Sequence, residues 1–510
     1  MAAPNEKLAK SLELLKQFQD KDGTAIIKSD TISRTHRERL LKNGFIKEVM
    51  KGWYISNNPQ ERRSESTSWY SSYWKFCSVY LNDRFDKDWC ISPEQSLLLH
   101  CENWTIPKQL LIRSSKASNN VTILLFDTSL VDAVLTMPVE TDIIEKNGFR
   151  IFSLTSALIA CTPNFFLQNP IDARTALTAV KDASEILSPL LVGGNSVVAG
   201  RLAGAFRNIG RARIADEIIK TMKTAGYDIR ESDPFEYKLH YIFTNRSTSP
   251  YINRIRLMWQ QMREPVLKYF PIAPGIPKDK ASYFKLVDDN YKTDAYHSLS
   301  IEGYKVTSEL IERVMGGNWN PDENEKDNKQ KNALAARGYY LAFEAVKKSI
   351  GKIFEGENPG KVADDDHGDW YREMFSPSVI AGLLRPSDLA GYRNAQVFIS
   401  SSNHIPMSCD GVRDAMPVLF EMLREEKEPA VRAVLGHFIF VYIHPYIDGN
   451  GRIGRFLMNV MLSSGGFPWT VIPIEKRNVY LSALEKVSVE QNINELAKFI
   501  AELVTRGNQG

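Results

Sequence analysis

Residues 444–455 read HPYIDGNGRIGR and concentrate side chains that can act on a phosphate group. His444 offers an imidazole whose neutral form accepts a proton from a hydroxyl group. Asp448 offers a hard carboxylate oxygen, which suits Mg²⁺ bound beside phosphates. The side-chain amide of Asn450 can donate a hydrogen bond to a phosphate oxygen. Together these side chains predict a site at which a hydroxyl group attacks a nucleotide phosphate.

The other residues of this stretch suit a bound polyphosphate. Gly449 and Gly451 allow positive backbone φ angles and a close approach of an anion to backbone N–H groups. Arg452 and Arg455 are three residues apart, so they share one face of a helix. Two guanidinium groups on that face suit a di- or triphosphate better than a single phosphate. A glycine-rich Asp/Asn turn is common between helices, but this full set of residue types is not.

Two apolar helices must hold this stretch in place. Upstream, residues 428–443 are apolar over most of a helical surface, which predicts a buried helix. Downstream, residues 452–462 are again helical and apolar, and two glycines at 465–466 end the helix. The stretch therefore joins two core helices. It lies at the N-terminus of the second, where unpaired N–H groups and the helix dipole favour an anion.

The stretch resembles the signature of Fic domains, HPFxDGNGRxxR, with Tyr446 in place of the phenylalanine. The resemblance implies a mostly α-helical Fic fold over residues 285–510. It also implies ATP and Mg²⁺ as ligands, with transfer of AMP to a Ser, Thr or Tyr hydroxyl of a protein target. The intact GNGRIGR sequence favours adenylylation over phosphorylation.

The resemblance also assigns roles to individual residues. It implies that His444 is the general base and Asp448 the Mg²⁺ ligand, with Asn450 and neighbouring amides as the anion hole. Arg477 and Tyr480 lie where the family lines the adenine end, and Ser488 stands where many relatives have Asn. The full set implied for nucleotide binding is Gly449, Asn450, Gly451, Arg452, Gly454, Arg455 and Tyr480.

A second short motif, SLSIEG at residues 298–303, lies upstream in the same chain. Taken alone, its Glu302 is an ordinary helical glutamate. Beside the Fic-like stretch, Ser298, Glu302 and Gly303 resemble the inhibitory motif [ST]xxxE[GN] of Fic proteins. A carboxylate can pair bidentately with Arg455 and repel the γ-phosphate of ATP. We therefore predict an inhibitory helix over residues 293–304.

The segment NAQVFISSSNHIPMS, residues 394–408, reads as a short β-hairpin. In Fic proteins this position is a flap that pairs with the backbone of the target. Strand addition of that kind fixes geometry more than side-chain identity. The resemblance therefore implies that a protein target docks on residues 394–408.

Composition sets limits on the remaining functions. The chain has 510 residues, a net charge of +3, 43% hydrophobic and 25% charged residues, which are ordinary values for a globular protein. The net charge is too small to indicate a polyanion partner. The five cysteines have no metal-binding spacing and predict thiols in a reducing compartment. There is no signal peptide and no long apolar run, so we expect a cytoplasmic protein without a membrane segment.

The N-terminal residues 1–58 follow the order of a winged helix-turn-helix: helix, short helix, basic helix and hairpin. The segment ISRTHRERLLKNGFIKEVMKGWYI resembles the start of AbiEi-type antitoxins. In a DNA complex, Arg34 and Arg37 would enter the major groove and Lys51 would lie in the wing near the backbone. Winged helices also serve protein contacts, and the sequence leaves both alternatives open.

Four segments follow from these patterns, in a multidomain and mainly α-helical chain. The winged helix is followed by an α/β AbiEi-like domain (59–235), a helical connector (236–284) and the all-α Fic fold with its hairpin (285–510). Two polar stretches, 318–331 and 355–369, are predicted to be solvated loops.

Two functions compete for the whole chain. The first is an autoinhibited protein adenylyltransferase whose N-terminal half selects a target. The second is a DNA-binding, antitoxin-like regulator that carries a fused Fic domain and binds duplex DNA through residues 1–58.

Overall fold

The structure, a computed structural model, describes residues 4–22, 26–61, 65–236, 249–316 and 331–507. It divides into two compact units. The first runs to Pro250 and includes Phe398–Ile405. The second comprises Tyr251–Val397 and the chain from Pro406 onward. The segment 236–284, predicted to be a connector, is therefore divided between the units, and most of it lies in the second.

The first unit begins with a small helix-and-sheet element. Its three strands are antiparallel in the order β1-β3-β2, and Gly52 makes the hairpin turn with a φ of 85°. Its elements are α1 (Pro4–Asp22), β1 (Ile26–Lys28), α2 (Arg34–Lys42), β2 (Ile46–Met50) and β3 (Trp53–Ser56). The predicted short helix is wrong, because the β-branched pair Ile26-Ile27 forms a strand against Tyr54 and Ile55.

The rest of the first unit mixes strands and helices. A four-stranded sheet has the order β4-β5-β7-β6, with β5 and β7 parallel, and β8 pairs with β9. The strands are β4 (Cys90–Ile91), β5 (Gln109–Arg113), β6 (Val121–Ile123), β7 (Ser129–Ala133), β8 (Ile143–Lys146) and β9 (Phe149–Phe152). The helices are α3 (Thr67–Phe85), α4 (Pro93–His100), α5 (Leu154–Ala160), α6 (Pro163–Gln168), α7 (Pro170–Ala179), α8 (Ser184–Gly193), α9 (Ser196–Asn208) and α10 (Ala212–Thr224).

In the part of the chain that the structure describes, the second unit contains helices joined by irregular segments, and no strand. Its helices are α11 (Pro250–Tyr269), α12 (Lys280–Ile301), α13 (Ser308–Met315), α14 (Lys331–Phe354), α15 (Pro359–Ile380), α16 (Cys409–Glu425), α17 (Pro429–Ile443), α18 (Asn450–Ser463), α19 (Arg477–Glu490) and α20 (Asn494–Gly507). Nearly every residue of α17 and α18 is buried, so the two predicted helices around the motif form the centre of this unit.

The polar stretch 355–369 is not a solvated loop. Asn358 caps α15 by accepting a hydrogen bond from the backbone N–H of Lys361, and Pro359 occupies the first turn. The acidic run lies inside the helix, where Asp364, Asp365 and Asp366 pair with cations. Charge composition favoured a loop, but the cap and these ion pairs support a helix. The other predicted loop, 318–331, lies outside the described residues up to position 330.

The predicted hairpin at 394–408 is also wrong. This segment has no strand; it runs as irregular backbone from Arg393 to Ser408. Its central part, Phe398–Ile405, belongs to the first unit, where the backbone N–H of Ile106 donates to the carbonyl of Asn403 at 2.9 Å. The backbone of this segment bonds to a loop of the first unit at Asn403 and makes a local turn, in which the N–H of Ser402 donates to the carbonyl of Ile399 at 3.2 Å.

No helix within the described ranges is long and apolar enough to cross a membrane. The five cysteines form no disulfide there, and four of them are buried.

Candidate active site

The motif lies between α17 and α18, as the sequence predicts. α17 ends at Ile443, and His444 takes a left-handed conformation with a φ of 55°. Gly449 has a φ of 84° and precedes the first residue of α18. The backbone therefore turns twice within six residues, which places the N-terminus of α18 beside His444.

His444 is held so that one ring nitrogen remains available. Its Nδ1 lies 3.1 Å from the carbonyl oxygen of Val441, so Nδ1 carries the hydrogen and Nε2 is the basic nitrogen. Burial lowers the pKa of His444 to about 4, although the Val441 carbonyl acts in the opposite direction. The imidazole is therefore neutral near pH 7, as a general base requires.

Asn450 does not present its amide to the site. The side-chain Oδ1 accepts from the backbone N–H of Tyr446 at 2.8 Å, and Nδ2 donates to the Tyr446 carbonyl at 2.9 Å. The amide therefore closes the turn, and its contact with a phosphate stays a prediction. The backbone N–H groups at the start of α18 are the candidates that remain for an anion hole.

Arg452 is buried between two aromatic rings. Its guanidinium carbon lies 5.1 Å from the ring centre of Tyr304 and 5.1 Å from that of Phe375. Its Nε atom has no hydrogen-bond partner among the described residues. A buried donor without a partner is costly, so this guanidinium is poised for an anionic ligand.

The donor set at Asp448 fits a hard cation. The side chain is 63% exposed, and its Oδ1 accepts from the Gly449 backbone N–H at 2.6 Å and lies 3.3 Å from Arg452 Nη2. No group of three or more His, Cys, Asp or Glu side chains suited to a metal occurs in the described ranges. A Mg²⁺ ion here would take its other ligands from phosphates and water, as this ion often does.

Arg455 is engaged by the SLSIEG motif. Its Nε donates to Ser298 Oγ at 2.9 Å, and its Nη2 donates to Glu302 Oε1 at 2.7 Å and to the Ser298 carbonyl at 3.1 Å. Burial would raise the pKa of the Glu302 carboxyl, but Arg455 and Arg452 bring that pKa below its usual value. Glu302 is therefore a charged partner that occupies the arginine expected to hold the terminal phosphate.

Glu302 lies at the end of α12, not inside it. The predicted helix 293–304 belongs to the longer α12, which ends at Ile301, and Gly303 turns the chain with a φ of 87°. An added Cβ at Gly451 would overlap Glu302 Oε1, so the glycine makes room for this carboxylate. Residues 298–303 and 444–455 are thus in direct contact through Glu302 and Gly451.

Two residues predicted to bind nucleotide make close contacts with α17. An added Cβ at Gly454 would stand 2.9 Å from Val441, so this glycine lets α18 approach α17. Tyr480 is 1% exposed, and its hydroxyl lies 2.8 Å from Nε2 of His437, another buried residue. The role of Gly454 and Tyr480 in nucleotide binding stays a prediction. His437 had no signature in the sequence, since it is one of many positions in an apolar helix.

Arg477 contacts the C-terminal end of α12. Its Nε donates to the carbonyl of Ile301 at 2.8 Å, and the backbone N–H of Ile474 donates to Nδ1 of His297 at 3.1 Å. The start of α19 and the residues just before it therefore hold the end of α12 through two hydrogen bonds. The resemblance placed Arg477 at the adenine end, and the long-range contact with Ile301 had no signature in the sequence.

Two of the three candidate DNA-binding residues of the first unit contact other groups of the protein. Arg34 pairs with Glu38 at 2.6 Å on the surface. Arg37 donates to the carbonyl of Ser29 at 2.8 Å, and its guanidinium lies over the ring of Tyr54. Lys51 is exposed.

The part of the chain that contains this turn and its two helices matches a known protein family. Residues 367–462 match the Fic/DOC family. The Fic match begins within α15, covers α16 and α17, and ends near the end of α18. It includes the motif, whereas SLSIEG lies outside it.

Curated relatives align with about half of the chain. Protein adenylyltransferase Fic of Nematostella vectensis is 26% identical over 258 residues, which is 50% of this chain and 56% of the relative. The protein of the same name from Drosophila grimshawi is 28% identical over 232 residues, 45% of this chain and 44% of the relative. The chain therefore spans about half the length of the curated relatives it matches.

Among solved structures, a fragment of Fic-1 from C. elegans aligns with 66% of this chain and 91% of its own length. The TM-score is 0.38 and the sequence identity is 15%.

Proposed function

We propose that this protein is an autoinhibited protein adenylyltransferase, which transfers AMP from ATP to a hydroxyl group of a protein target or of its own chain. The observation that carries the proposal is the contact between two motifs. A neutral His444 stands beside the N-terminus of α18, while Glu302 occupies Arg455 at 2.7 Å. The names of the relatives that align with this region support the same reaction.

In the proposed reaction, a Ser, Thr or Tyr hydroxyl attacks the α-phosphorus of ATP. Its proton passes to Nε2 of His444, a new P–O bond forms, and the bond to pyrophosphate breaks. The N–H groups at the start of α18 stabilise the developing negative charge. Arg452 and Arg455 hold the phosphates through charge-assisted hydrogen bonds.

Asp448 is the residue that would hold Mg²⁺. When bound, the ion supplies positive charge beside the phosphates. Docking of the target on residues 394–408 and the cytoplasmic location both stay predictions from the sequence.

The brake acts on nucleotide binding in this proposal. While Glu302 pairs with Arg455, the γ-phosphate of ATP meets a carboxylate instead of a guanidinium. ATP then binds without its terminal phosphate in the clamp, and its α-phosphorus is not aligned with the incoming hydroxyl. Releasing Glu302 should restore the aligned pose.

The test replaces Glu302, the proposed inhibitory residue, and His444, the proposed base. We expect Glu302→Gly to raise AMP incorporation into the protein's own chain by about tenfold or more, because Arg455 becomes available to ATP. The measurement is label transferred from α-labelled ATP, with mass spectrometry of the modified peptides. In the same background, His444→Ala should abolish the transfer.

The control is Glu309→Gln, which changes an exposed carboxylate on α13 without touching the motif. Equal incorporation by the wild-type and Glu302→Gly proteins would remove the inhibitory role of Glu302. Transfer that persists without His444 would remove the assignment of the base.

A further inference from the structure

An arginine outside both motifs is hydrogen-bonded to the backbone of the candidate base. Arg393 is 1% exposed, and its Nε donates to the carbonyl of His444 at 2.9 Å. The backbone N–H of Arg393 donates to the carbonyl of Pro445, also at 2.9 Å. Two successive carbonyl groups of the turn are thus bound by one residue.

These carbonyls need an external partner. They follow the last residue of α17, so the helix offers them no N–H group. His444 also holds a left-handed conformation, which is unfavourable for a residue with a side chain and persists only when its surroundings fix it. Arg393 supplies this constraint at the residue whose ring must point at the reacting hydroxyl.

The same guanidinium reaches the segment that was predicted to dock the target. Its Nη1 donates to the carbonyl of Ala395 at 3.0 Å, and its Nη2 donates to the carbonyl of Met407. Ala395 and Met407 lie near the two ends of residues 394–408. The planar fork of an arginine can serve all these acceptors at once, and a lysine cannot.

We propose that Arg393 is a positioning residue for the reaction: it fixes the backbone of His444, and hence its imidazole, and ties that backbone to both ends of the 394–408 segment. The inference rests on the proposed function. It adds a residue that acts through His444 and touches neither nucleotide nor target.

The kinetic test uses Arg393→Lys in the Glu302→Gly background. We expect kcat for AMP transfer to fall by about 10- to 100-fold, because the base is no longer held in line. KM for ATP should change by less than about twofold, since the phosphate contacts are intact. The matched control is Arg413→Lys, because Arg413 also binds this region, at Asn394 and Cys409, but does not reach His444. Its kcat should equal that of the parent.

A spectroscopic readout separates this inference from the proposed function. In protein with ¹⁵N-labelled histidine, the His444 signals at pH 7 should show one tautomer, protonated at Nδ1, in the parent and in Arg413→Lys. Arg393→Lys should show exchange between tautomers. The His444→Ala spectrum identifies the signals.

An unchanged tautomer and an unchanged kcat in Arg393→Lys would overturn the proposal. Absence of AMP transfer in the parent would count against the proposed function alone, because the tautomer readout does not need turnover. Arg393→Gln, which keeps one NH2 donor group without the charge, is the second variant if the lysine variant does not fold, and the same outcomes decide it.

Discussion

At the scale of single residues, the candidate site combines a neutral base with two buried cations. Burial lowers the pKa of His444 to about 4, so its neutral form prevails at pH 7. Arg452 and Arg455 are 1% and 4% exposed, and the positive charge of each is balanced by different neighbouring groups. Arg455 has Glu302 and Ser298, whereas Arg452 has two aromatic rings and one Asp448 carboxylate oxygen 3.3 Å from its Nη2. The arrangement favours a ligand that brings several negative charges.

The pKa of His444 predicts how the rate depends on pH. Because a base must be neutral to accept a proton, activity should be constant above the pKa and fall as pH drops through it. For the Glu302→Gly protein we expect a flat rate between about pH 5.5 and 8 and a fall near pH 4. The measurement is kcat/KM for AMP transfer across pH. An inflection near pH 6.5 would show that His444 titrates like an exposed histidine.

At the scale of elements, the proposed brake is the C-terminal end of α12, which is held from two sides. The last turn of α12 contacts α18 through Ser298 and Glu302. It also contacts Ile474, just before α19, through His297, and Arg477, the first residue of α19, through the Ile301 carbonyl. We therefore expect the strength of the proposed inhibition to depend also on residues that do not touch the phosphate site.

Arg477 offers a test of this second attachment. Arg477→Gln should raise AMP incorporation by about fivefold over the wild type, the effect of losing one hydrogen bond worth about 1 kcal/mol. It should remain below the level of Glu302→Gly, because the ion pair with Arg455 is kept. Lys498→Gln, an exposed change on α20, is the control. Wild-type incorporation by Arg477→Gln would show that the Glu302 contacts suffice.

The close packing of α14 on α15 leads to a prediction about the free energy of unfolding. An added Cβ at Gly338 would overlap the carbonyl oxygen of Met374, whereas at Gly351, on the same helix, nothing lies within 4 Å. Gly338→Ala should lower the free energy of unfolding by about 1–3 kcal/mol. Gly351→Ala should leave it unchanged or raise it by up to about 1 kcal/mol. Denaturant titration of both variants measures the difference, and equal midpoints would contradict the close approach of the helices.

At the scale of the whole molecule, the DNA-binding alternative finds little support in the charges of the first unit. The net charge of the chain is +3. Of the three candidate residues, Arg37 is bonded to a backbone carbonyl and Arg34 to Glu38, so only Lys51 keeps its charge exposed and unpaired among them. Binding to duplex DNA requires several cations that can reach phosphates.

We therefore expect the full chain not to retard duplex DNA in a mobility-shift assay at about 50 mM salt. A complex that weakens steeply with salt, and weakens further in Arg34→Ala and Lys51→Ala, would restore the regulator hypothesis. The matched control is Lys498→Ala, far along the chain in the second unit, which should behave as the parent protein does.

Much of the site could be predicted because its signals are local. Spacing of three or four residues places Arg452 with Arg455 and Ser298 with Glu302, and apolar periodicity predicts the two helices around the turn. The failures share a cause. The helix at 359–380 and the irregular segment at 394–408 depend on caps, ion pairs and partners that local composition does not reveal.

The sequence by itself determined which chemical groups meet at residues 444–455, because the residue types and their order predict a base, a metal ligand and an anion nest. Only the tertiary structure decided which groups remain available. Asn450 is used by Tyr446, Gly454 by Val441, and Arg455 by Glu302. Each polar side chain has a limited number of donors and acceptors, and the contacts made in the fold, local for Asn450 and distant in sequence for Arg455, determine where they are used.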